Sequence, residues 1–427
     1  MADLPIMTSR TVDGAFLGKM SYSSLADWEK RNQSMRLLVL SSEFPPGPGG
    51  IGTHAHQVSH NLVRAGWQVT AISPQDHASE EQIRDFNESQ PFPIVRLPSQ
   101  RGALVVAALR WRILIRCIRM RKPDILLGTG ERSAWLAAAA SRLYKLPWVA
   151  VGHGTEFGVS NVWASRATRW SFECASAVVC VSQYTRRLMV ESGINPRREL
   201  VIPNGGDDVR FRVLPAGEIK SFRQSLGKDA DHLLLTVGNV TERKGQEVVI
   251  RALSHILKIA PKTHYLMAGL PTLKHELTEL ARKLGVAEHV HFLGRVDADS
   301  LVKYLNCCDV FVMTSRLTKD GDCEGFGIAV VEAALCGKPA VVSANSGLAE
   351  AIIDGSTGIA VPEGDEVATA NALLSLLKDP QLRHTMGKAA LDLAQREQSW
   401  RTRSGEYDKL LGGLLDGFHR RSLKEAS

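Results

Sequence analysis

No run of about 18 uncharged apolar residues occurs in this 427-residue chain, so no helix is expected to span a bilayer. The opening residues, MADLPIMTSRTVDGAF, lack a basic stretch followed by an apolar core, and no secretory leader is expected. Cysteines are few and odd in number. The seven are Cys117, Cys174, Cys180, Cys307, Cys308, Cys323 and Cys336. None falls in paired metal-ligand spacing, which speaks against a zinc ribbon or a disulfide framework and for reduced thiols in a cytosolic protein. Short internal repeats are missing too. Apolar content of 44% and charged content of 23% exclude disordered and collagen-like classes.

The charge is unevenly spread. The net charge of +7 divides into a balance of +8 over residues 1–200 and −1 over residues 201–427. The first half therefore holds all the positive excess and points to an anionic partner: a membrane surface, a phosphorylated acceptor or nucleic acid. Segment 101–122, RGALVVAALRWRILIRCIRMRK, carries seven basic residues and no acidic one. It predicts a basic amphipathic helix able to lie on an anionic membrane. The alternative is a packed helix edged by solvated arginines. No recognition motif accompanies the charge, so nucleic acid is not expected as a partner.

Short apolar runs alternate with helix-length segments. They fall at 36–42, 67–73, 124–130, 147–153, 177–182 and 200–204 in the first half, and at 232–239, 264–270, 289–294, 309–315, 339–345 and 358–362 in the second. Such runs predict parallel strands covered on both faces. The fold class is α/β, with two doubly wound Rossmann-like domains facing a cleft. Expected bounds are an extension over 1–35, a first domain over 36–210, a second over 211–395 and a C-terminal helix over 396–427. In that helix Trp400, Tyr407, Leu410, Leu411 and Leu414 make an apolar face, suited to crossing back onto the first domain.

Ligands of open parallel sheets bind beyond the carboxyl ends of the strands, and the unusual residues lie there. After the first strand, Gly47, Gly49, Gly50 and Gly52 lead into a helix whose Ala55, Val58 and Leu62 face inward. Open amides at a helix start favour an anion. His153-Gly154 follows the strand at 147–152. A structural histidine is its ordinary reading, but the position places it at a cleft edge. Arg243 and Lys244 end the loop after the strand at 232–239, beside a helix start, and suit a diphosphate. Glu324 precedes Gly325-Phe326-Gly327, whose amides, with that of Ile328, can bind phosphate or sugar oxygens. Glu332 lies over a turn into that helix and can accept both hydroxyls of a ribose. Asp320-Gly321-Asp322 reads as a polar turn, and no metal or other cofactor is expected.

Together the GGIG loop, HGTEF, VIPNGGD (201–207), GNVTERKG (238–245), the Glu324–Glu332 segment and SGLAEAIIDGSTGIAVP (346–362) resemble the retaining GT-B glycosyltransferases of family 4. The match covers roughly residues 36–420. The resemblance implies a metal-independent hexosyltransferase drawing on a nucleotide-diphosphate sugar, UDP-sugar or GDP-mannose, with a lipid-linked, polysaccharide-precursor or small-molecule acceptor. It implies catalytic roles for His153, Lys244 and Glu324. Donor contacts would come from Gly50, Gly52, Asn239, Arg243, Lys244, Glu324, Gly325, Phe326, Gly327, Ile328 and Glu332. Arg295 and Val296 of FLGRV would line the base pocket through backbone groups. Many members of the family carry arginine where Asn239 stands, so Arg243 is expected to compensate. The expected location is cytoplasmic, peripheral on the inner face of the membrane. Competing readings are a sugar-nucleotide epimerase, an inverting GT-B transferase, or a non-catalytic sugar-nucleotide binder.

Overall fold

The structure, a computed structural model, describes residues 35–425 apart from 48, 76–77, 100–102, 159–160 and 229–230. The expected extension therefore lies outside the described residues except for Met35, as do Arg101 and Gly102 of the basic segment.

The first sheet is seven-stranded and wholly parallel, in the order β3-β2-β1-β4-β5-β6-β7. Its strands are β1 (Arg36–Ser41), β2 (Gln68–Pro74), β3 (Ile94–Leu97), β4 (Ile125–Thr129), β5 (Trp148–Gly152), β6 (Ala177–Cys180) and β7 (Glu199–Val201). Between them run α1 (Gly50–Arg64), α2 (Glu80–Glu88), α3 (Ala103–Arg121), α4 (Glu131–Tyr144), α5 (Val162–Glu173) and α6 (Gln183–Glu191). The order reverses between β1 and β4, the switch point where ligands of such sheets bind. Strand β3 was not expected from the sequence. It is short, flanked by Pro93 and Pro98, and broken by Arg96, so its apolar signal is weak.

The second sheet is six-stranded and parallel, in the order β10-β9-β8-β11-β12-β13. Its strands are β8 (His232–Val237), β9 (Thr263–Ala268), β10 (Val290–Gly294), β11 (Val310–Met313), β12 (Ala340–Ser343) and β13 (Gly358–Val361). Its helices are α7 (Ala216–Ser225), α8 (Gln246–Ile256), α9 (Lys274–Lys283), α10 (Ala298–Cys307), α11 (Ile328–Leu335), α12 (Glu366–Lys378) and α13 (Pro380–Glu397). Burial of both faces explains the unbroken apolar runs of its central strands: Val310, Phe311, Val312 and Met313 are all fully buried, as parallel sheets require.

Helix α14 (Trp400–Glu425) returns to the first domain and packs on α1. Trp400, Tyr407, Leu410, Leu411 and Leu415 are buried there against Ala55, Val58 and Leu62. Trp67 Nε1 donates to Asp408 Oδ1 at 2.7 Å. The chain crosses between domains twice at one place. Gly206 N donates to Gln398 O at 2.8 Å, and Trp400 N donates to Gly206 O at 3.0 Å. One apolar cluster runs from the first domain through this crossing into the second.

Candidate active site

The carboxyl ends of both sheets face each other, and the loops there touch. Ser182 Oγ, at the start of α6, donates to Gly325 O at 2.6 Å. Glu350 follows β12 and accepts from the amides of Gln183 and Tyr184 at 2.7 and 2.6 Å. Arg295, just after β10, donates through Nη2 to Pro46 O at 2.9 Å. A Cβ at position 325 would collide with the carbonyl oxygen of His153. Only glycine lets the two backbones meet so closely.

Lys244 sits on a one-turn 3-10 segment, Glu242–Lys244, that leads through Gly245 into α8. Gly245 has φ of 64°, and a Cβ there would strike the carbonyl oxygen of Thr314. This turn points Lys244 Nζ at Glu324 Oε2, 2.6 Å away. Arg243 pairs with the same carboxylate oxygen and through Nε with Asp322 Oδ2 at 3.1 Å. Burial alone would raise the Glu324 pKa, but Lys244 and Arg243 outweigh it and hold the group ionised, below its usual value. Burial pulls the Lys244 ammonium below its usual pKa, with Glu324 opposing. Asp322 therefore does more than turn the chain: it fixes the guanidinium beside Lys244.

Glu324 leads directly into α11. That helix starts at Gly327 (φ 87°) with no side-chain cap and no acidic residue in its first turn. Its amides face the cleft as a ready anion site. In the opposite domain α1 also starts without a side-chain cap or an acidic first turn, from Gly49. Gly50 and Gly52 lie in that first turn.

His153 lies past the end of β5, and its Nε2 is 2.7 Å from Thr129 Oγ1 at the end of β4. Burial drives its pKa down to about 3, so the ring is neutral at working pH. Below it the carboxyl of Glu156 accepts from the amides of His153 and Gly154 at 3.0 and 2.9 Å. Burial raises the pKa of Glu156 to about 7. Behind His153 stands His54 of α1, ring centroids 5.0 Å apart, itself hydrogen-bonded through Nε2 to Tyr407 of α14 at 2.8 Å.

The structure thus brings Arg243, Lys244, Glu324, Gly325, Phe326, Gly327 and Ile328 together, with His153 against Gly325. Gly50 and Gly52 join them through α1 and His54. Glu332 lies about 7 Å along α11 from Gly327, five residues at the helical rise. It faces the charges of Arg210 and Asp207, and burial raises its pKa to about 7. Asn239 is turned away: its Oδ1 accepts from Leu270 N at 3.2 Å. Val296 packs into the apolar cluster, and the Arg295 side chain is spent on Pro46. Sequence reasoning assigned no role to Thr129, Glu156, His54 or Glu350, and gave Tyr407 only a place on the apolar face of the C-terminal helix. Glu156 was within reach, since a carboxylate three residues past His153 can fold back on the preceding amides. The Glu350 contacts and the choice of His54 as the partner of Tyr407 depend on domain packing and left no local signal.

Two Rossmann-like domains with uncapped helix starts, and a lysine–glutamate pair on the second beside its contact with the first, define a nucleotide-sugar-dependent transferase of the GT-B class. The model of Glycosyltransferase Family 4 matches residues 48–210, and that of Glycosyl transferases group 1 matches residues 218–392. The chain is 32% identical over 384 residues to the GDP-mannose-dependent alpha-(1-6)-phosphatidylinositol monomannoside mannosyltransferase of Mycolicibacterium smegmatis, covering 88% of this chain and 98% of that one. It is 28% identical to glycogen synthase of Mycobacterium tuberculosis, covering 86% and 92%. The fold is also that of Anabaena Alr3699/HepE solved with UDP and glucose, at TM-score 0.77, 22% identity and coverage of 89% and 100%. The protein belongs to the family 4 glycosyltransferases and transfers a hexosyl group from a nucleotide sugar.

Proposed function

We propose that the chain is a retaining, metal-independent hexosyltransferase acting on a lipid-linked acceptor at a membrane surface. The observation that carries this reading is the Lys244–Glu324 pair beneath the open amides of α11, opposite His153. The donor diphosphate takes Lys244 and the α11 amides, with Arg243 moving from Glu324 toward the same charge. Asn239, turned to Leu270, contributes its backbone only. Glu324, released, accepts from hydroxyls of the transferred sugar. Glu332 accepts the ribose hydroxyls. Neutral His153 hydrogen-bonds the sugar rather than moving a proton.

Breaking the bond between the anomeric carbon and the diphosphate oxygen leaves negative charge on phosphate. Preorganised donors answer that charge, each worth about 3 kcal/mol, or a hundredfold in rate. The acceptor hydroxyl attacks from the face the phosphate leaves, and its proton passes to the departing phosphate. Lys244, Arg243 and the helix dipole supply the positive charge a metal gives other transferases, so no cofactor takes part. The mannosyltransferase relative supports GDP-mannose as the first donor to test and a phosphatidylinositol-type glycolipid as the first acceptor.

Helix α3 supports membrane contact. Val106, Leu114 and Ile118 pack inward, while Leu104, Val105, Met120, Arg112, Arg116 and Arg119 are exposed. Trp163 and Trp170 of α5 are exposed too, with Arg166 over the Trp163 ring. Among the described residues no helix is long and apolar enough to cross a membrane. A thermal-shift panel of UDP-, GDP- and ADP-sugars identifies the donor, since a bound ligand stabilises by mass action. Product anomer analysis by NMR tests retention, turnover in EDTA tests metal independence, and pelleting with anionic liposomes at rising salt tests the membrane contact. An inverted product, loss of turnover in EDTA, or no salt-sensitive pelleting overturns the corresponding statement.

A further inference from the structure

The edge strand β3 carries a cation where its neighbours are apolar. Arg96 donates through Nε and Nη2 to Asn87 Oδ1 at 3.1 and 2.7 Å, and through Nη2 to Pro45 O at 2.6 Å. Its guanidinium carbon lies 5.6 Å from the ring centroid of Phe44. Every one of these partners is neutral. The third nitrogen, Nη1, is buried and has no hydrogen-bond partner. Among the described residues no carboxylate pairs with Arg96. Burial, with nothing offsetting it, pulls its pKa down to about 10.

Arg96 is half-buried, and a cation partly withdrawn from water without a counter-charge is costly. Folds keep one where an anion arrives later. Arg96 borders a cavity of about 500 Å³ between α2 and the carboxyl ends of β2 and β3, which Gln75, Arg84 and Asn87 also line. Glu80 and Glu88 line it as well, but they are exposed at the two ends of α2 and pair with neither arginine. Arg84 has only a 3.7 Å approach to exposed Asp85. With Asn87 Oδ1 engaged by Arg96, the Asn87 amide nitrogen is left as a donor. Two guanidinium groups and the Asn87 amide match a tetrahedral anion with several acceptor oxygens. The volume exceeds that of a bare phosphate and is in the range of ligand sites.

The position agrees. Pro45, which holds Arg96, adjoins Pro46, which receives Arg295 from the donor domain. Arg96 is thus held one residue from a contact between the two domains.

We infer that Arg96 anchors an anion subsite in the acceptor half of the cleft, which takes a phosphate mono- or diester group of the acceptor. The inference rests on the glycosyl-transfer reading above and adds the charge by which the acceptor is held.

The test titrates inorganic phosphate and sn-glycerol 3-phosphate into the full chain with the preferred donor nucleotide present, following melting temperature and calorimetric heat. Arg96→Met is expected to weaken phosphate-ester affinity at least tenfold, the loss of one charge-assisted contact, and to leave nucleotide affinity unchanged. Phosphatidylcholine vesicles with and without phosphatidylglycerol form the second arm. Arg96-dependent binding of soluble esters assigns the subsite to a free phosphorylated acceptor, and Arg96-dependent binding of the anionic vesicles alone assigns it to a lipid head group. Equal binding by wild type and Arg96→Met in both arms overturns the inference. So does absence of phosphate-ester binding in a protein that still binds its nucleotide. Failure to bind any nucleotide sugar would instead count against the transferase reading. Should Arg96→Met not fold, Arg96→Lys keeps the charge without the planar fork and Arg84→Gln removes the second cation. Both are expected to weaken the esters severalfold, and unchanged affinity in both overturns the inference.

Discussion

The Nζ of Lys244 and Oε2 of Glu324 lie 2.6 Å apart, and Arg243 reaches the same oxygen. Two cations converge on one carboxylate in a largely buried site, and Asp322 pairs with Arg243 at 3.1 Å, so the four side chains balance in charge. On the proposed reading the donor diphosphate draws the two cations from these carboxylates. Lys244→Ala leaves Glu324 with Arg243 alone. It is expected to lower turnover about a hundredfold, as for loss of one preorganised donor, and to cost roughly 3 kcal/mol in urea unfolding. Wild-type turnover in the variant would remove Lys244 from the chemistry.

Glu332 carries a pKa of about 7 in the unliganded protein, raised by burial. Only the ionised carboxylate accepts from both hydroxyls of a ribose. Donor affinity is therefore expected to rise as pH climbs through about 7 and to level off above it, by about tenfold overall. Calorimetric titration between pH 6 and 8, run beside Glu332→Gln, measures this. The variant should bind weakly with no slope, and an equal slope in both proteins would assign the titration elsewhere.

Glu156 offers a stability test. Its folded pKa, about 7, lies above the ordinary carboxylate value. The folded state thus binds the proton more tightly than the unfolded chain. The resulting stabilisation is complete below about pH 4.5 and is lost as pH rises through 7. A shift of this size corresponds to on the order of 3 kcal/mol. Glu156→Gln keeps an oxygen for the His153 and Gly154 amides without a charge to bury. Above pH 7 it should unfold at higher urea than wild type, with a gain that shrinks toward pH 5. A gain independent of pH would disprove the assignment.

Glu350 caps α6 from the other domain. Glu350→Ala is expected to cost about 1 kcal/mol, as caps do, and to loosen closure. Small-angle scattering should show a larger radius of gyration for the variant, and donor KM should rise while Trp67 and the α14 contacts keep the first domain folded. An unchanged radius with unchanged KM would mean that closure does not depend on this cap.

Much of this architecture can be read from short-range pattern. Runs such as VFVM announce strands buried on both faces, and glycine before a helix announces an open helix start. Strand β3 escaped because Arg96 and two flanking prolines erase that pattern. The site was legible where it is local: Arg243 with Lys244, and Glu324 beside its own helix. It was not legible where partners come from opposite domains. Arg295 was expected at the base pocket through its backbone, and nothing local told that its side chain reaches Pro46, 249 residues away. Glu350 sits in a recognisable segment, but nothing around it tells that Gln183 and Tyr184 are its partners. Such contacts follow from how two rigid bodies dock, which local propensity does not encode.

The return of α14 has a consequence for synthesis. Tyr407 completes the buried surroundings of His54, Asp408 binds the Trp67 indole, and Trp400, Leu410 and Leu411 close the face of α1. During translation the first domain leaves the ribosome with that face bare and stays so until the whole second domain has followed. The order of chain emergence therefore runs against the order of domain completion. A nascent chain halted just after Glu397 should remain protease-sensitive around α1, and the first domain should reach its folded form only once α14 has emerged.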